Sequence, residues 1–147
     1  MKRLTILAAF ANLLMLAYAS QLHAQEECSV ANLKGAYSFE GSGTYNGLPF
    51  AAAGVGIYDG NGNMQGVIQA SVGGTVNPPA KWTATYKVSS IAAGAGQTVC
   101  VFSKTIVIPA YGHLTVSFFG SGGPDFNELR WMATTDGFTV TGTSLRQ

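Results

Sequence analysis

Apolar and polar residues alternate with a period of two along most of this chain, and short clusters of Gly, Asn, Asp and Pro interrupt the alternation. Half-buried β-strands produce this pattern, because successive side chains point to opposite faces. It predicts eight strands, at about 34–43, 48–58, 64–73, 80–89, 97–108, 112–119, 126–134 and 137–144. The fourth shows it best: Trp82, Ala84, Tyr86 and Val88 share one face, and Lys81, Thr83, Thr85 and Lys87 the other. Tyr37 and Phe39 repeat it in the first strand, Leu114, Val116 and Phe118 in the sixth, Leu129, Trp131 and Ala133 in the seventh, and Phe138 and Val140 in the last. No helical periodicity occurs beyond the N-terminal segment.

The breaks set the connections. Asp59-Gly60-Asn61-Gly62-Asn63 supplies residues that tolerate positive φ, as a tight reversal between twisted strands requires. Tyr111-Gly112, Gly122-Gly123-Pro124-Asp125 and Asp136-Gly137 make similar breaks, and Val76-Asn77-Pro78-Pro79 ends the third strand, since Pro cannot donate to a ladder. Short connections favour an antiparallel meander over parallel crossovers. The expected fold is therefore all-β, an antiparallel eight-stranded meander closed into a small barrel, with a two-sheet sandwich as the alternative. Closure removes raw sheet edges, and eight strands make a barrel that is either filled by side chains or holds one small ligand. Gly54 and Gly56 would allow sharp coiling or leave room inside.

The first 24 residues follow a different rule. Lys2 and Arg3 precede an apolar run from Leu4 to about Ala19, with small-residue exits at Ala17-Tyr18-Ala19 and Leu22-His23-Ala24. This is the layout of a secretory signal peptide, too short and wrongly flanked for a lasting membrane span. The expected organisation is a signal peptide over 1–24, cleaved after Ala24 or alternatively after Ala19, and one barrel domain over 25–147. A bacterium would export it to the periplasm or the medium. Gln25-Glu26-Glu27 before Cys28 lacks the small, apolar character of a lipid-attachment signal, so a released protein is expected.

Loss of Lys2 and Arg3 turns the chain's net charge from +1 to −1. A near-neutral domain has neither the basic patch that nucleic acid requires nor a polybasic signal for a membrane surface. Cys28 and Cys100 form an even pair in a chain bound for an oxidising compartment, which reads as one disulfide. Closing so long a loop is worth on the order of 4 kcal/mol in the chain-entropy description. An outer-membrane barrel would share the period of two. Against it stand short strands such as the sixth, the absence of paired aromatic girdles, and Leu145-Arg146-Gln147 in place of a terminal aromatic. No stable membrane insertion is expected.

Groups with catalytic potential are sparse. After export His113 is the only histidine, beside Gly112 at a turn, and no His/Cys/carboxylate cluster offers a metal site. No nucleophile-elbow motif is present, and no cofactor is implied. Glycosidase chemistry needs two carboxylates across a cleft. Here Glu26 and Glu27 lie in the N-terminal arm, Asp59, Asp125 and Asp136 at breaks, and Glu40 and Glu128 on polar faces. Glu128 and Arg130 share a face and could pair with Lys104, whose own facing the pattern leaves ambiguous. That trio is either an exterior charge pair of little weight or, if it lines a cavity, an orienting polar cluster. The inward aromatics are either plain core or a pocket lining; if a pocket, Tyr37, Trp82, Tyr86 and Trp131 are the candidates. The Gly60/Gly62 segment joins two strands and opens no helix, so it is not a phosphate loop.

Cys28, the strand motif Leu33-Lys34-Gly35-Ala36-Tyr37-Ser38-Phe39, the hairpin Asp59–Asn63, a mid-chain second Cys and the tail Thr141-Gly142-Thr143-Ser144-Leu145-Arg146-Gln147 follow one another in order. In this the chain resembles a group of small exported bacterial proteins of unknown function. It departs from them at Thr98-Val99-Cys100-Val101, where the group has an Asp-Cys-Thr-Gly turn. The resemblance implies a β-barrel-like domain and supplies no catalytic residues. The meander is also similar to lipocalin-like, avidin-like and allene-oxide-cyclase-like barrels, in architecture alone. Three functions follow as expectations: a non-enzymatic barrel binding a small apolar ligand or an envelope or extracellular partner; an isomerase- or cyclase-type barrel, which needs an inward-facing ionisable residue near an aromatic wall, such as Glu128 or Arg130; or an interaction protein acting through its outer surface. The sequence leaves the oligomeric state open.

Overall fold

The computed structural model describes residues 28–123 and 125–147. The signal-peptide reading of residues 1–24 lies outside the described residues. Nine strands follow one another: β1 (Lys34–Tyr45), β2 (Leu48–Asp59), β3 (Asn63–Val72), β4 (Thr75–Val76), β5 (Ala80–Gly94), β6 (Gln97–Ile108), β7 (Leu114–Gly122), β8 (Glu128–Ala133) and β9 (Phe138–Arg146). Every pairing is antiparallel between chain neighbours, apart from β3 with β5 across the short β4, and β1 with β9. The β1–β9 pairing, with Gly41 opposite Gly142, closes eight strands into a barrel and removes the sandwich alternative.

All eight expected strands are present, with revised limits. The fourth runs on to Gly94 and forms a long hairpin with β6, while the sixth starts at Leu114 and continues to Gly122. The residues before Leu114 form a 3₁₀ turn, Pro109–Tyr111, ended by Gly112 and His113 in the left-handed region. Pro109 stops β6 because it has no N–H for the ladder. Thr75–Val76, expected within a break, pairs back on β3 as the ninth strand.

Asp59 shows how the β2–β3 reversal is held. Its carboxylate accepts hydrogen bonds from Asn61 N at 2.6 Å, Asn63 N at 3.0 Å and Asn63 Nδ2 at 3.0 Å. Gly60 and Gly62 sit at φ +80° and +98°, a region that side chains with a Cβ rarely occupy. The donors, Asn63's side chain foremost, hold the Asp59 carboxyl below its ordinary pKa.

The two tryptophans pack inside the barrel over glycines of neighbouring strands. Trp131 on β8 lies beside Gly142 on β9 and Gly41 on β1, and a Cβ at either glycine would collide with its ring. Opposite, Trp82 on β5 covers Gly66 and Gly56. Gly54 and Gly56 do leave room inside, and the rings of Phe39 and Trp82 fill it.

One end of the barrel is plugged. Residues 28–33 and the β7–β8 loop fold across it, burying Leu33 and Phe126 among Tyr37, Tyr58 and Tyr86. Tyr58 stands edge-on to both other tyrosines at 5.0 Å. Tyr37 Oη donates to Phe126 O at 2.7 Å and accepts from Arg146 Nε at 3.0 Å, and Arg146 Nη2 donates to Asn32 O at 3.0 Å. Cys28 and Cys100 form a disulfide, Cα–Cα 5.3 Å, which pins the plug to β6.

Two outcomes follow. Gly142→Ala forces a Cβ against Trp131 and the Glu40 carbonyl, and urea denaturation should show a loss of about 1–3 kcal/mol. Reducing the disulfide should lower the urea midpoint by the equivalent of about 2–5 kcal/mol. A midpoint independent of dithiothreitol would show that the plug holds without it.

Candidate functional site

The opposite end of the barrel is open and leads into a cavity of about 310 Å³. This is within the size range of small-molecule sites. The wall is built from the inward positions of the barrel strands, with Phe39, Ile68, Trp82, Ile106, Val116 and Val140 around its middle. Tyr45, Phe50 and Phe138 form an aromatic rim: Tyr45 stacks on Phe138 at 4.4 Å and Phe50 meets the same ring edge-on at 5.9 Å. Connecting segments complete the mouth. Tyr111 Oη donates to Pro78 O at 2.8 Å, tying the 3₁₀ turn to the loop before β5, and Asn46 N donates to Gly137 O at 2.7 Å between two hairpin tips.

Of the four candidate pocket residues, Trp82 and Trp131 line this cavity. Their rings are held differently. Trp131 Nε1 donates to Ser144 Oγ at 3.0 Å, and Phe118 stands edge-on against it at 5.1 Å. Trp82 meets Phe39 edge-on at 6.0 Å, and its indole N–H has no acceptor among the described residues. Tyr37 and Tyr86 also point inward but belong to the plug, so the expectation that they line a pocket is corrected. Tyr86 Oη donates to Leu33 O at 2.8 Å and accepts from Gly60 N at 2.9 Å. Their polar ends serve the plug because the N-terminal arm and the β2–β3 hairpin, for Tyr86, and Phe126, for Tyr37, bring backbone groups that need partners. Burial raises the pKa of Tyr37, Tyr58 and Tyr86; for Tyr37 the Arg146 guanidinium opposes the rise, and for Tyr86 its backbone hydrogen bonds do.

The charged trio does not assemble. Arg130 Nε bonds Glu128 Oε1 at 2.9 Å in an exposed pair on the outer wall, where solvent leaves it little energetic weight. Glu128 and Arg130, the examples given for an inward ionisable group, therefore face outward. Lys104 lies on the other side of the sheet, inside the barrel and 8% exposed. His113, Glu40, Asp59, Asp125 and Asp136 are all exposed.

Lys104, named from the sequence only as a partner for Glu128 and Arg130 with its facing open, stands alone as the charged group of the cavity among the described residues. It lines the cavity with Nζ 5.1 Å from the Trp131 ring centroid, 5.3 Å from Phe118 and 5.9 Å from Phe102. No carboxylate pairs with it among the described residues, where Glu128–Arg130 is the only salt bridge. Desolvation brings its pKa down from 10.5 to about 8. Its register with Phe118 on one side and Tyr86 on the other, both inward, fixes its face.

No family model matches the chain, and no curated protein or solved structure matches it.

The lysine predicts an unusual pH profile. Between pH 8 and about 10 the unfolded chain holds a proton on Lys104 that the folded chain has released, so stability rises with pH across that window. The contribution is on the order of 3 kcal/mol. Above pH 10 the tyrosines reverse the trend, because they ionise in the unfolded chain first. Lys104→Met should remove the rise and be more stable at pH 7, as read by urea midpoints from pH 6 to 10.

Proposed function

We propose that this protein is a non-enzymatic, exported barrel that binds a small, largely apolar molecule in the open cavity. The observation that carries the reading is the division of the barrel interior. One end is sealed by a cross-linked plug, and the other keeps a largely apolar, aromatic-rimmed volume of about 310 Å³ open at the mouth. A barrel needed only as a scaffold gains stability by filling that volume, since side chains around an unfilled cavity lose contacts.

Export is supported by the layout of residues 1–24 and by the disulfide, which is compatible with an oxidising compartment. Among the described residues no helix is long and apolar enough to cross a membrane. The outer face of β5 carries exposed Lys81, Thr83, Thr85 and Lys87 while its inner face is apolar, an arrangement suited to water outside and a ligand within.

Trp82 and Trp131 are the only tryptophans of the chain, and both line the cavity, so selectively excited tryptophan fluorescence is sensitive to its contents. Titration with 1-octanol should change that fluorescence saturably. Ala70→Phe, which adds a ring from a buried wall position, should abolish the response while the protein stays folded. An unchanged response in the filled variant would place binding elsewhere on the barrel.

A further inference from the structure

A purely apolar ligand leaves Lys104 without a purpose. A buried ammonium with no counter-charge costs several kcal/mol, and an apolar side chain of similar size would remove that cost. The rings of Phe102, Phe118 and Trp131 offer the cation their negative faces, which recovers part of the loss but provides no hydrogen-bond acceptor for its three N–H groups. Among the described residues no other formally charged side chain lines the cavity. The remaining titratable groups of the wall, Tyr45 and Tyr111, belong to the mouth. Across from Lys104, β5 presents Tyr86, whose hydroxyl is engaged in the plug, while β7 presents Phe118 and β8 Trp131.

We propose that the cavity takes an amphipathic monocarboxylate, its carboxylate paired with Lys104 and its aliphatic or aromatic body lying along the apolar wall towards the mouth. This deepens the binding reading above and rests on it. The pairing would neutralise both charges where the low local dielectric makes their attraction strongest, and it would supply the acceptors that the ammonium lacks. One lysine balances one negative charge. A phosphate monoester, with close to two, would bring an uncompensated charge into the same apolar space. The ligand would therefore enter head first, and its length would be limited by the depth of the cavity above Lys104.

The test compares octanoate with 1-octanol, which share a chain and differ in charge, by tryptophan fluorescence titration of the purified protein. At pH 7 octanoate should bind at least about tenfold more tightly, a difference equivalent to about 1.4 kcal/mol. Lys104→Met should lose that preference and keep its affinity for octanol. Raising the pH from 7 to 9.5 should weaken octanoate binding to the wild type as Lys104 loses its proton, and leave octanol binding unchanged. Lys104→Arg stays charged throughout, so its octanoate preference should survive at pH 9.5; this variant and the wild-type pH series decide the matter should Lys104→Met fail to fold. Equal binding of octanol and octanoate would overturn the carboxylate inference and leave the apolar-ligand reading standing. Binding of neither would overturn both. An octanoate preference that fades with pH equally in Lys104→Arg would show that another group recognises the charge.

Discussion

The whole barrel depends on the contact of Trp131 with a lane of glycines. Gly120 on β7, Gly142 on β9 and Gly41 on β1 stand in register with it or one strand beyond, and the indole occupies the space that the missing side chains of Gly142 and Gly41 leave. Gly41 and Gly142 face one another across the pairing that joins the first strand to the last, so the ring packs over the seam itself. Phe102 covers Gly120 from the far side and Trp82 repeats the device over Gly66 and Gly56. Large beside small is how a narrow barrel is filled without overpacking.

The cavity follows from where those rings stop. Below them, three tyrosines, Leu33 and Phe126 complete a dense plug, in which the Tyr86 hydroxyl bonds backbone of the N-terminal arm and the Tyr37 hydroxyl bonds Phe126 O. Above them the inward positions include Ala52, Ala70 and Val140, too small to meet across the axis, and the larger rings stay at the rim. Lys104 sits against two of the cavity-lining rings, Phe118 and Trp131. One interior thus serves two ends differently, and among the described residues Lys104 brings the only charge to the cavity.

The fold was legible because period-two alternation and turn chemistry agree along the chain. Trp82, Ala84, Tyr86 and Val88 announce an inward face without reference to any other strand, and Asp59–Asn63 announces its hairpin. Which inward residues share a cavity was not legible, because that depends on height along the barrel axis. Tyr37 and Trp131 look alike in an alternating pattern, yet the first is claimed by Phe126 O and Arg146 and the second faces open volume. Lys104 was hidden for a related reason. Val99, Val101 and Val107 put apolar side chains on the opposite parity of its strand, so β6 alone names no inner face; only pairing with Phe118 and Tyr86 does. The extra strand Thr75–Val76 is too short to carry a pattern at all.

Pairing the first strand with the last also has a consequence for biosynthesis. Until Phe138–Arg146 has left the ribosome, β1 and β8 each lack the neighbour that seals the cylinder, and Arg146 cannot reach Tyr37 and Asn32 in the plug. Contacts so distant in sequence form slowly, because much chain must be ordered before they are rewarded. The cylinder therefore cannot close until β9 has been made and has reached β1.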